Sequence, residues 1–264
     1  MRSAQNTPER KSGMIKEARW EQILRIIEQK GFVSVHKLAE ALYVSLPTVR
    51  RDLSELERQG LVVRSHGGVK LPTEGHTEVP IGFRNTFKMQ EKRRLCEIAA
   101  GLIKDGDVIY IDPSTTFLRL ADYISEKKNI IVVTNSLSTA STLVSAGIRT
   151  FCTGGELSEV AYSFTGGQAE AIAADFNYDI AFFSSYGVNE RGVITDTSER
   201  EISLRRVVVK QSKKCVYVCN GEKFALSTPF NFAPLSAMDI VITDTEVPEY
   251  CNVDNGRVLR TNQN

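Results

Sequence analysis

The fold of the N-terminal part of the chain is decided by residues 34–60, which have the sequence SVHKLAEALYVSLPTVRRDLSELERQG. Ser34 is a suitable N-cap, and the apolar residues after it recur at spacings of three and four, which predicts a short helix. A second cap, Ser45, begins a longer helix that tolerates Pro47 in its first turn. With an earlier helix over residues 19–30, this spacing predicts a helix-turn-helix.

The second helix of this motif has an apolar stripe and a polar stripe. Val49, Leu53 and Leu56 lie four and three residues apart, so we expect them to face the core. The opposite side then presents hydroxyls, which hold phosphates, and guanidinium groups, which bind guanine edges in the major groove. An Arg-Arg pair is ordinarily just solvated surface, but its place in a helix-turn-helix favours DNA contact. The predicted contacts are Ser45, Pro47, Thr48, Arg50, Arg51, Ser54 and Arg58.

A β-hairpin is predicted directly after this helix. Residues 61–64 and 69–71 have strand character, and the Ser-His-Gly-Gly segment between them is a turn. The hairpin predicts a winged helix-turn-helix, whose glycines let the wing tip approach the sugar-phosphate backbone. The predicted wing contacts are Arg64, His66, Gly67, Gly68 and Lys70. A purely structural turn role for His66 is an equal alternative.

Composition narrows the class of protein. The chain has 264 residues, of which 42% are hydrophobic and 25% charged, which excludes disorder, collagen-like repeats and a disulfide scaffold. No apolar run approaches the roughly 20 residues of a membrane span, and the N-terminus lacks a secretory signal, so we expect a cytoplasmic protein. The five scattered cysteines form no CxxC pair, which favours free thiols over disulfides or a metal site.

Charge is distributed unevenly along the chain. Residues 1–70 carry 13 Lys/Arg against 8 Asp/Glu, whereas residues 71–264 carry 20 against 24. A basic first quarter indicates a module that binds a polyanion such as double-stranded DNA, joined to a module with another task. A merely solvated basic face is the alternative that charge alone leaves open.

The second module is predicted to be an α/β domain. Residues 72–86 are rich in Pro, Gly and polar residues and predict a linker between domains over residues 17–71 and 87–250. After the linker, nearly continuous apolar strands alternate with helical patterns, which predicts a mainly parallel sheet covered on both faces. The predicted strands are residues 108–111, 130–133, 150–152, 180–183, 216–219 and 240–242.

Polar side chains follow the first two predicted strands. Asp112 is followed by Ser114, Thr115 and Thr116, and the second strand is followed by Thr134, Asn135 and Ser136. Ligands bind at the carboxyl ends of parallel strands, and hydroxyls with free N–H groups at two helix N-termini predict a receptor for an anion such as a phosphate. Simple N-capping by these hydroxyls is the alternative.

These motifs together resemble the DeoR family of bacterial transcription regulators. In the first module the resemblance rests on Leu38-Ala39-Glu40, Thr48-Val49-Arg50-Arg51-Asp52-Leu53 and Arg64-Ser65-His66-Gly67-Gly68-Val69. In the second it rests on Asp112 with Thr115-Thr116, Thr134-Asn135-Ser136, Gly154-Gly155, Glu201 with Arg205, and Lys223-Phe224. The resemblance implies a sensor domain similar in fold to sugar-phosphate isomerases and coenzyme A transferases, which binds a phosphorylated sugar.

The resemblance also implies a role for particular residues. Ser114, Thr115 and Thr116 would hold the phosphate, Asp112, Thr134 and Asn135 would contact the sugar, and Lys223 would reach the anion. The effector-binding set is completed by Ser136, Glu201 and Arg205, although a Glu201–Arg205 pair four residues apart is equally explained by surface electrostatics. The chain departs from the family pattern at four positions, which leaves the effector's identity open. These are Ser114 and Ser184 in place of Gly, Tyr186 in place of an acid, and Asn220 in place of Asp.

The sequence thus predicts a DNA-binding regulator, most simply a repressor of a carbohydrate-utilisation operon, with no cofactor and no metal. One winged helix covers half of a symmetric operator, so we expect a homo-oligomer, a dimer or a tetramer. One alternative is an isomerase-like enzyme carrying a DNA-binding module. Because all three histidines lie in the first 76 residues, its candidate bases are Asp112, Glu199 and Glu201. The other alternative is a DNA-binding oligomer without an effector.

Overall fold

The computed structural model describes residues 16–58, 61–65, 67–70 and 88–261. The chain divides into two compact units, Met1–Gly75 and His76–Asn264. The predicted linker, residues 72–86, and the predicted wing residue His66 lie outside the described residues.

The N-terminal unit contains three helices and a three-stranded antiparallel sheet. The sheet has the strand order β1–β3–β2, so the predicted helix-turn-helix and hairpin are confirmed. The two-residue strand β1 was not predicted, and it adds the third strand by pairing Val33 with Val69. The elements are α1 (Lys16–Lys30), β1 (Phe32–Val33), α2 (Val35–Leu42), α3 (Leu46–Arg58), β2 (Val63–Ser65) and β3 (Gly68–Lys70).

A buried carboxylate joins the first and third helices of this unit. Val49, Leu53 and Leu56 are fully buried, as predicted, and Asp52 on the same helix is buried with them. Asp52 Oδ1 accepts a hydrogen bond from Trp20 Nε1 at 2.8 Å, and Asp52 Oδ2 accepts one from Arg19 Nε at 2.5 Å. The charge is therefore paired and fully hydrogen-bonded inside the core, where an unpaired carboxylate would be costly.

The two glycines of the wing have different reasons to be glycine. Gly67 is exposed and has a φ of +90°, a backbone conformation that L side chains rarely adopt. Gly68 is buried, and a Cβ there would lie 2.5 Å from the Phe32 ring and 2.6 Å from the Val33 carbonyl oxygen. Close packing against β1 therefore accounts for the glycine at position 68, and its predicted contact with DNA stays a prediction.

The C-terminal unit is built on a seven-stranded sheet in which all neighbouring strands are parallel. Its strand order is β15–β14–β12–β9–β4–β5–β6. The strands are β4 (Val108–Ile111), β5 (Ile131–Thr134), β6 (Thr150–Cys152), β9 (Ile180–Phe183), β12 (Cys215–Val218), β14 (Ile240–Thr243) and β15 (Val258–Arg260). All six predicted strands are confirmed to within one residue at each end, and β15 was not predicted.

Helices cover both faces of this sheet. Alternate residues of β4 enter two separate cores, Ile109 and Ile111 on one face and Tyr110 on the other. The first core takes side chains from α4 (Met89–Gly101), α5 (Leu120–Ile124) and α6 (Leu137–Ser145), and the second from α7 (Gly167–Ala174) and α8 (Glu199–Lys210). Among the described residues, no helix is both long and apolar enough to span a membrane.

Two small antiparallel sheets stand beside the parallel sheet, and neither was predicted. One is the hairpin of β7 (Glu156–Leu157) and β8 (Phe164–Thr165). The other is formed by β10 (Gly187–Val188), β11 (Val193–Asp196) and β13 (Phe230–Pro234) in the order β10–β11–β13. Both bring side chains to the carboxyl ends of the parallel strands.

We expect Asp52→Ala to destabilise the N-terminal unit by about 3 to 5 kcal/mol, because it removes the buried acceptor of the Arg19 and Trp20 hydrogen bonds. The matched control is Glu55→Ala, which removes the exposed ion pair with Arg58 and should cost at most about 1 kcal/mol. Urea unfolding followed by fluorescence measures both, since Trp20 is the only tryptophan of the chain. Equal losses in the two variants would show that the buried network does not stabilise the unit.

Candidate functional site

The exposed side of α3 presents two arginines that are available for binding. Arg50 and Arg51 are exposed, and within the described part of the chain neither guanidinium has a hydrogen-bond or ion-pair partner. Arg58 lies about two helical turns after Arg51. It is also exposed, but Glu55 binds its guanidinium as an ion pair. Among the three predicted arginine contacts of α3, two guanidiniums are therefore free and one is already engaged.

Hydrogen bonds order the polar residues around these arginines. Ser45 Oγ accepts from Thr48 N at 3.4 Å and lies 2.8 Å from Thr48 Oγ1, so the predicted cap is formed. Arg64 Nη1 of the wing donates to Ser54 Oγ at 3.0 Å, which links β2 to α3. Pro47 and Gly67 are exposed, whereas Thr48 and Lys70 are half-buried. Except for Gly68 and the undescribed His66, the predicted DNA contacts are thus accessible at least in part.

In the C-terminal unit, one buried guanidinium gathers the polar residues at the carboxyl ends of the strands. Arg205 Nη1 lies 2.6 Å from Asp196 Oδ2, and Arg205 Nε lies 3.3 Å from Asp112 Oδ2. Asp112 directly follows β4, Asp196 ends β11, and Arg205 lies in α8. All three are buried, so a surface ion pair does not explain Arg205. We call Asp112, Asp196, Glu201 and Arg205 the buried charge cluster.

Glu201 is fixed by three neighbours. One carboxylate oxygen accepts from Asn135 Nδ2 at 3.1 Å, and the other is hydrogen-bonded to Ser163 Oγ. Asn135 Oδ1 in turn accepts from Tyr110 Oη at 2.8 Å. The Glu201 backbone N–H donates to Ser198 Oγ, the N-cap of α8. The predicted residues Asn135 and Glu201 are therefore brought together in one hydrogen-bonded network.

The ionisation of the cluster is set by burial and by Arg205. Burial raises the pKa of Asp112 to about 6, although Arg205 and the Ser184 N–H act in the opposite direction. Burial also raises the pKa of Glu201, again against the effect of Arg205. Burial would raise the pKa of Asp196 too, but the ion pair with Arg205 prevails and lowers it. Three carboxylates thus share one guanidinium, and burial favours the protonated forms of Asp112 and Glu201 over that of Asp196.

One carboxylate oxygen of Asp112 is available to a ligand. Asp112 Oδ2 accepts from Ser184 N at 2.9 Å, but Asp112 Oδ1 has no hydrogen-bond partner within the described residues although it is buried. A buried carboxylate oxygen without a donor is unusual in a folded protein. A sugar hydroxyl is a donor of the kind that such an oxygen binds.

The hydroxyl cluster after β4 differs from its prediction. Thr116 does not cap an α-helix. A 3₁₀ turn over Phe117–Arg119 follows it, and α5 contains only five residues. The prediction of a full helix N-terminus at this point is therefore wrong, because the chain turns too tightly for an α-helical first turn. Ser114 Oγ instead accepts from Thr116 N at 3.2 Å.

A lysine that sequence reasoning missed contacts this cluster. Lys92 Nζ, from the first turn of α4, donates to Thr115 Oγ1 at 2.9 Å. An ammonium group beside a hydroxyl and a tight turn is suited to an anion. No local signal marks Lys92, because it comes from a helix that precedes β4 by several residues and not from the end of a strand.

The hydroxyls after β5 have internal partners. Thr134 Oγ1 donates to the Ile111 carbonyl at 2.6 Å and accepts from Ser136 N. Ser136 Oγ accepts from Thr139 N at 3.1 Å and caps α6, a role that had been left open as the alternative. Thr134 and Ser136 thus position the chain, and Asn135 between them carries the contact to Glu201.

Lys223 contacts the strand ends through Ser184, a position at which the family pattern has glycine. Lys223 Nζ donates to Ser184 Oγ at 2.8 Å and to the Ser185 carbonyl at 2.5 Å. Ser184 N donates to Asp112, so Ser184 connects Lys223 with the buried charge cluster. A glycine at position 184 would have no hydroxyl for Lys223, so this departure changes how the lysine is held. Tyr186 is exposed, and Asn220 Nδ2 binds Glu222 at 3.4 Å.

A cavity of about 370 Å³ opens between the β7–β8 hairpin and the start of α8. Glu201 contributes to its wall, so the cavity reaches the buried charge cluster. Arg200 and Glu156 form an ion pair at 2.5 Å between α8 and the hairpin. The volume suits a small metabolite. The lining residues are Glu156, Leu157, Ser158, Glu159, Ala161, Thr165, Ser198, Arg200 and Glu201.

Comparison with known families identifies both units. A model described as a DeoR-like helix-turn-helix domain matches residues 19–75, and one described as a DeoR C terminal sensor domain matches residues 88–245. The chain belongs to the DeoR family. The predicted winged helix-turn-helix and sensor architecture is therefore confirmed.

Three relatives illustrate the similarity to other DeoR-family proteins. An uncharacterized HTH-type transcriptional regulator, YgbI, of Escherichia coli (strain K12) is 32% identical, covering 89% of this chain and 92% of that protein. The glycerol-3-phosphate regulon repressor of Escherichia coli (strain K12) is 30% identical, covering 86% and 90%. The lactose phosphotransferase system repressor of Staphylococcus aureus (strain NCTC 8325 / PS 47) is 30% identical, covering 89% and 95%.

A solved D-ribose-5-phosphate isomerase overlaps 52% of this chain and 54% of its own at 11% identity, with a TM-score of 0.38. So distant a likeness carries no argument about chemistry.

The pH dependence of stability tests the state of Asp112 in this DeoR-family sensor. Its folded pKa of about 6 exceeds the ordinary value of 3.8, so the folded state binds the proton more tightly. Stability from this group is complete below about pH 4 and is lost as the pH rises through about 6. Relative to Asp112→Asn, the wild type should therefore gain about 1.4 kcal/mol per unit as the pH falls below 6. Urea unfolding of both proteins measures this, and a constant difference would contradict it.

Proposed function

We propose that this chain is a DNA-binding transcription repressor of a carbohydrate-utilisation operon, and that a phosphorylated sugar controls its affinity for double-stranded operator DNA. The observation that carries the proposal is the free Arg50–Arg51 pair on the exposed side of α3, in the same chain as a buried polar sensor site. A DNA-binding module joined to a ligand pocket has its simplest use in regulation.

The names of the relatives support repression and a sugar-related effector. One regulates a glycerol-3-phosphate regulon and another a lactose phosphotransferase system, and both are named repressors. The function is carried over to this chain, but the particular effector is not. We propose a homo-oligomer, a dimer or a tetramer, acting in the cytoplasm, because two winged helices match the two halves of a symmetric operator.

Charge favours a particular orientation of the ligand. The cavity contains three glutamates against one arginine, so it disfavours a phosphate and suits hydroxyls. Lys92 at Thr115 and Lys223 at Ser184 are the cationic groups beside the strand ends. We therefore place the phosphate near these lysines, with Ser114, Thr115 and Thr116, and the sugar hydroxyls near Asp112, Asn135 and Glu201.

An isomerase is the second candidate, and the raised pKa of Asp112 favours it, since a general base works best near the ambient pH. Incubation of the full chain with a panel of aldose and ketose phosphates separates the candidates. Binding without turnover supports a sensor, turnover supports an enzyme, and the absence of binding supports a scaffold without effector. The unphosphorylated sugars serve as controls, and equal binding of these would contradict the phosphate site.

Operator binding should depend on Arg51 and much less on Arg58. Loss of a guanidinium that contacts a guanine costs about 1 to 3 kcal/mol per half-site, so Arg51→Ala should weaken specific binding by about 5- to 150-fold per half-site. Arg58→Ala is the matched control, because Glu55 already holds that guanidinium. Titration of both variants against operator and random DNA measures affinity and selectivity. Wild-type selectivity in Arg51→Ala would show that another face of α3 contacts the bases.

Effector response should depend on the two lysines beside the strand ends. A hydrogen bond to a charged group contributes about 1.5 to 3 kcal/mol, so Lys92→Met and Lys223→Met should each weaken binding of the responding sugar phosphate by about 10- to 150-fold. Lys213→Met is the control, because that lysine pairs with Asp179 at the surface. Calorimetry gives the affinity, and release of operator DNA on titration gives the response. Wild-type response in both variants would show that the phosphate binds elsewhere.

A further inference from the structure

We propose that the β6 edge of the parallel sheet is where two copies of this chain pair, with β6 of one copy antiparallel to β6 of the other about a two-fold axis at Phe151. β6 is the last strand of the sheet, and among the described strands it pairs only with β5. The proposed function includes a homo-oligomer but does not say which surface forms it, and this proposal names that surface.

The backbone of β6 is arranged for such a pairing. Val132 N donates to the Arg149 carbonyl, and Thr153 N donates to the Thr134 carbonyl, both at 3.0 Å. Because successive residues of a strand direct their N–H and C=O groups to opposite sides, Thr150 and Cys152 direct theirs away from β5. A two-fold axis at Phe151 places Thr150 opposite Cys152 of the second copy. Both such pairs then exchange two hydrogen bonds, as an antiparallel ladder requires.

Apolar side chains stand at this edge on both faces of the sheet. Phe151 is 38% exposed, and its ring lies 5.3 Å from that of Phe176, beside the core that α7 covers. On the other face, Val144 of α6 is 62% exposed. Exposed aromatic and aliphatic side chains of this kind are typical of the buried part of a protein interface.

Charge indicates that the occupant is a second copy. Residues 129–155 contain one charged residue, Arg149, although 25% of the chain is charged. The Arg149 guanidinium lies over the Phe151 ring of its own chain, with Cζ 5.5 Å from the ring centroid. In a two-fold interface, residues near the axis meet their own copies, so a densely charged patch would repel itself, whereas here each copy brings one cation that packs on an aromatic ring. The opposite edge differs, because Arg257 and Arg260 lie at β15, and basic residues discourage pairing between edge strands.

The oligomeric state of the full chain tests the proposal. Phe151→Lys adds a cation beside Arg149 in each copy at the axis, so sedimentation equilibrium should give half of the wild-type mass. The matched control is Tyr250→Lys, because Tyr250 is also 38% exposed but lies in the connection between β14 and β15. Val144→Glu changes an exposed helical residue, so it decides the question if Phe151→Lys does not fold. A monomeric wild type, or an undiminished mass in Val144→Glu, would overturn the proposal.

Cysteine reactivity gives a second measurement. Cys152 is the one exposed cysteine of the five, and the proposed pairing covers it. A maleimide should therefore alkylate Cys152 more slowly in the wild-type oligomer than in Val144→Glu. Equal rates in the two proteins at the same concentration would contradict the proposed surface. Neither measurement uses DNA or a sugar phosphate, so its outcome is separate from that of the proposed function.

Discussion

The sensor unit depends on one buried guanidinium. Arg205 lies among the carboxylates of Asp112, Asp196 and Glu201, which come from the end of β4, the end of β11 and the first turn of α8. An isolated carboxylate in a protein interior costs several kcal/mol, and the cost is offset only by a close cation and good hydrogen bonds. The three chain segments are therefore held together because the carboxylate of each requires the charge of Arg205.

The same arrangement leaves the cluster with unused binding capacity. The cluster has three carboxylates and one guanidinium. Burial away from water raises the pKa of Asp112 and of Glu201. Within the described residues, Asp112 Oδ1 and Arg205 Nε have no hydrogen-bond partner although both are buried. Groups that donate and accept hydrogen bonds without a net charge, such as sugar hydroxyls, match this deficit better than an anion does. The four residues of the buried charge cluster thus hold the chain segments together and also offer the polar atoms that a sugar hydroxyl could bind.

The sequence predicted the elements whose residues follow a simple period. The stripe of Val49, Leu53 and Leu56 on α3 and the apolar runs of six parallel strands were sufficient for that. It did not predict contacts that depend on tertiary structure. No sequence pattern marks Asp52 as buried, and only the approach of α1 makes it a buried acceptor. Asp196 was missed with the small antiparallel sheet, because its strands are too short to show alternation.

Hydroxyls were the least predictable part of the site. Ser and Thr both cap helices and bind ligands, and the sequence cannot separate these roles. Ser136 proved to be a cap, whereas Thr115 meets Lys92, a residue that no local motif marks. The two roles diverge because a cap is a contact within three residues, while the Lys92 contact joins positions 23 residues apart.

The residues at the start of α4 connect the beginning of the C-terminal unit with the proposed anion site. Lys88, the first described residue after the linker region, forms an ion pair with Glu222, the neighbour of Lys223. One turn later, Lys92 binds Thr115. An anion that attracts Lys92 or Lys223 must compete with these bonds, so its binding energy acts on α4, the helix that follows the predicted linker. Coupling of about 1 to 3 kcal/mol is sufficient for allosteric control, and exchanging one charged hydrogen bond is of that size.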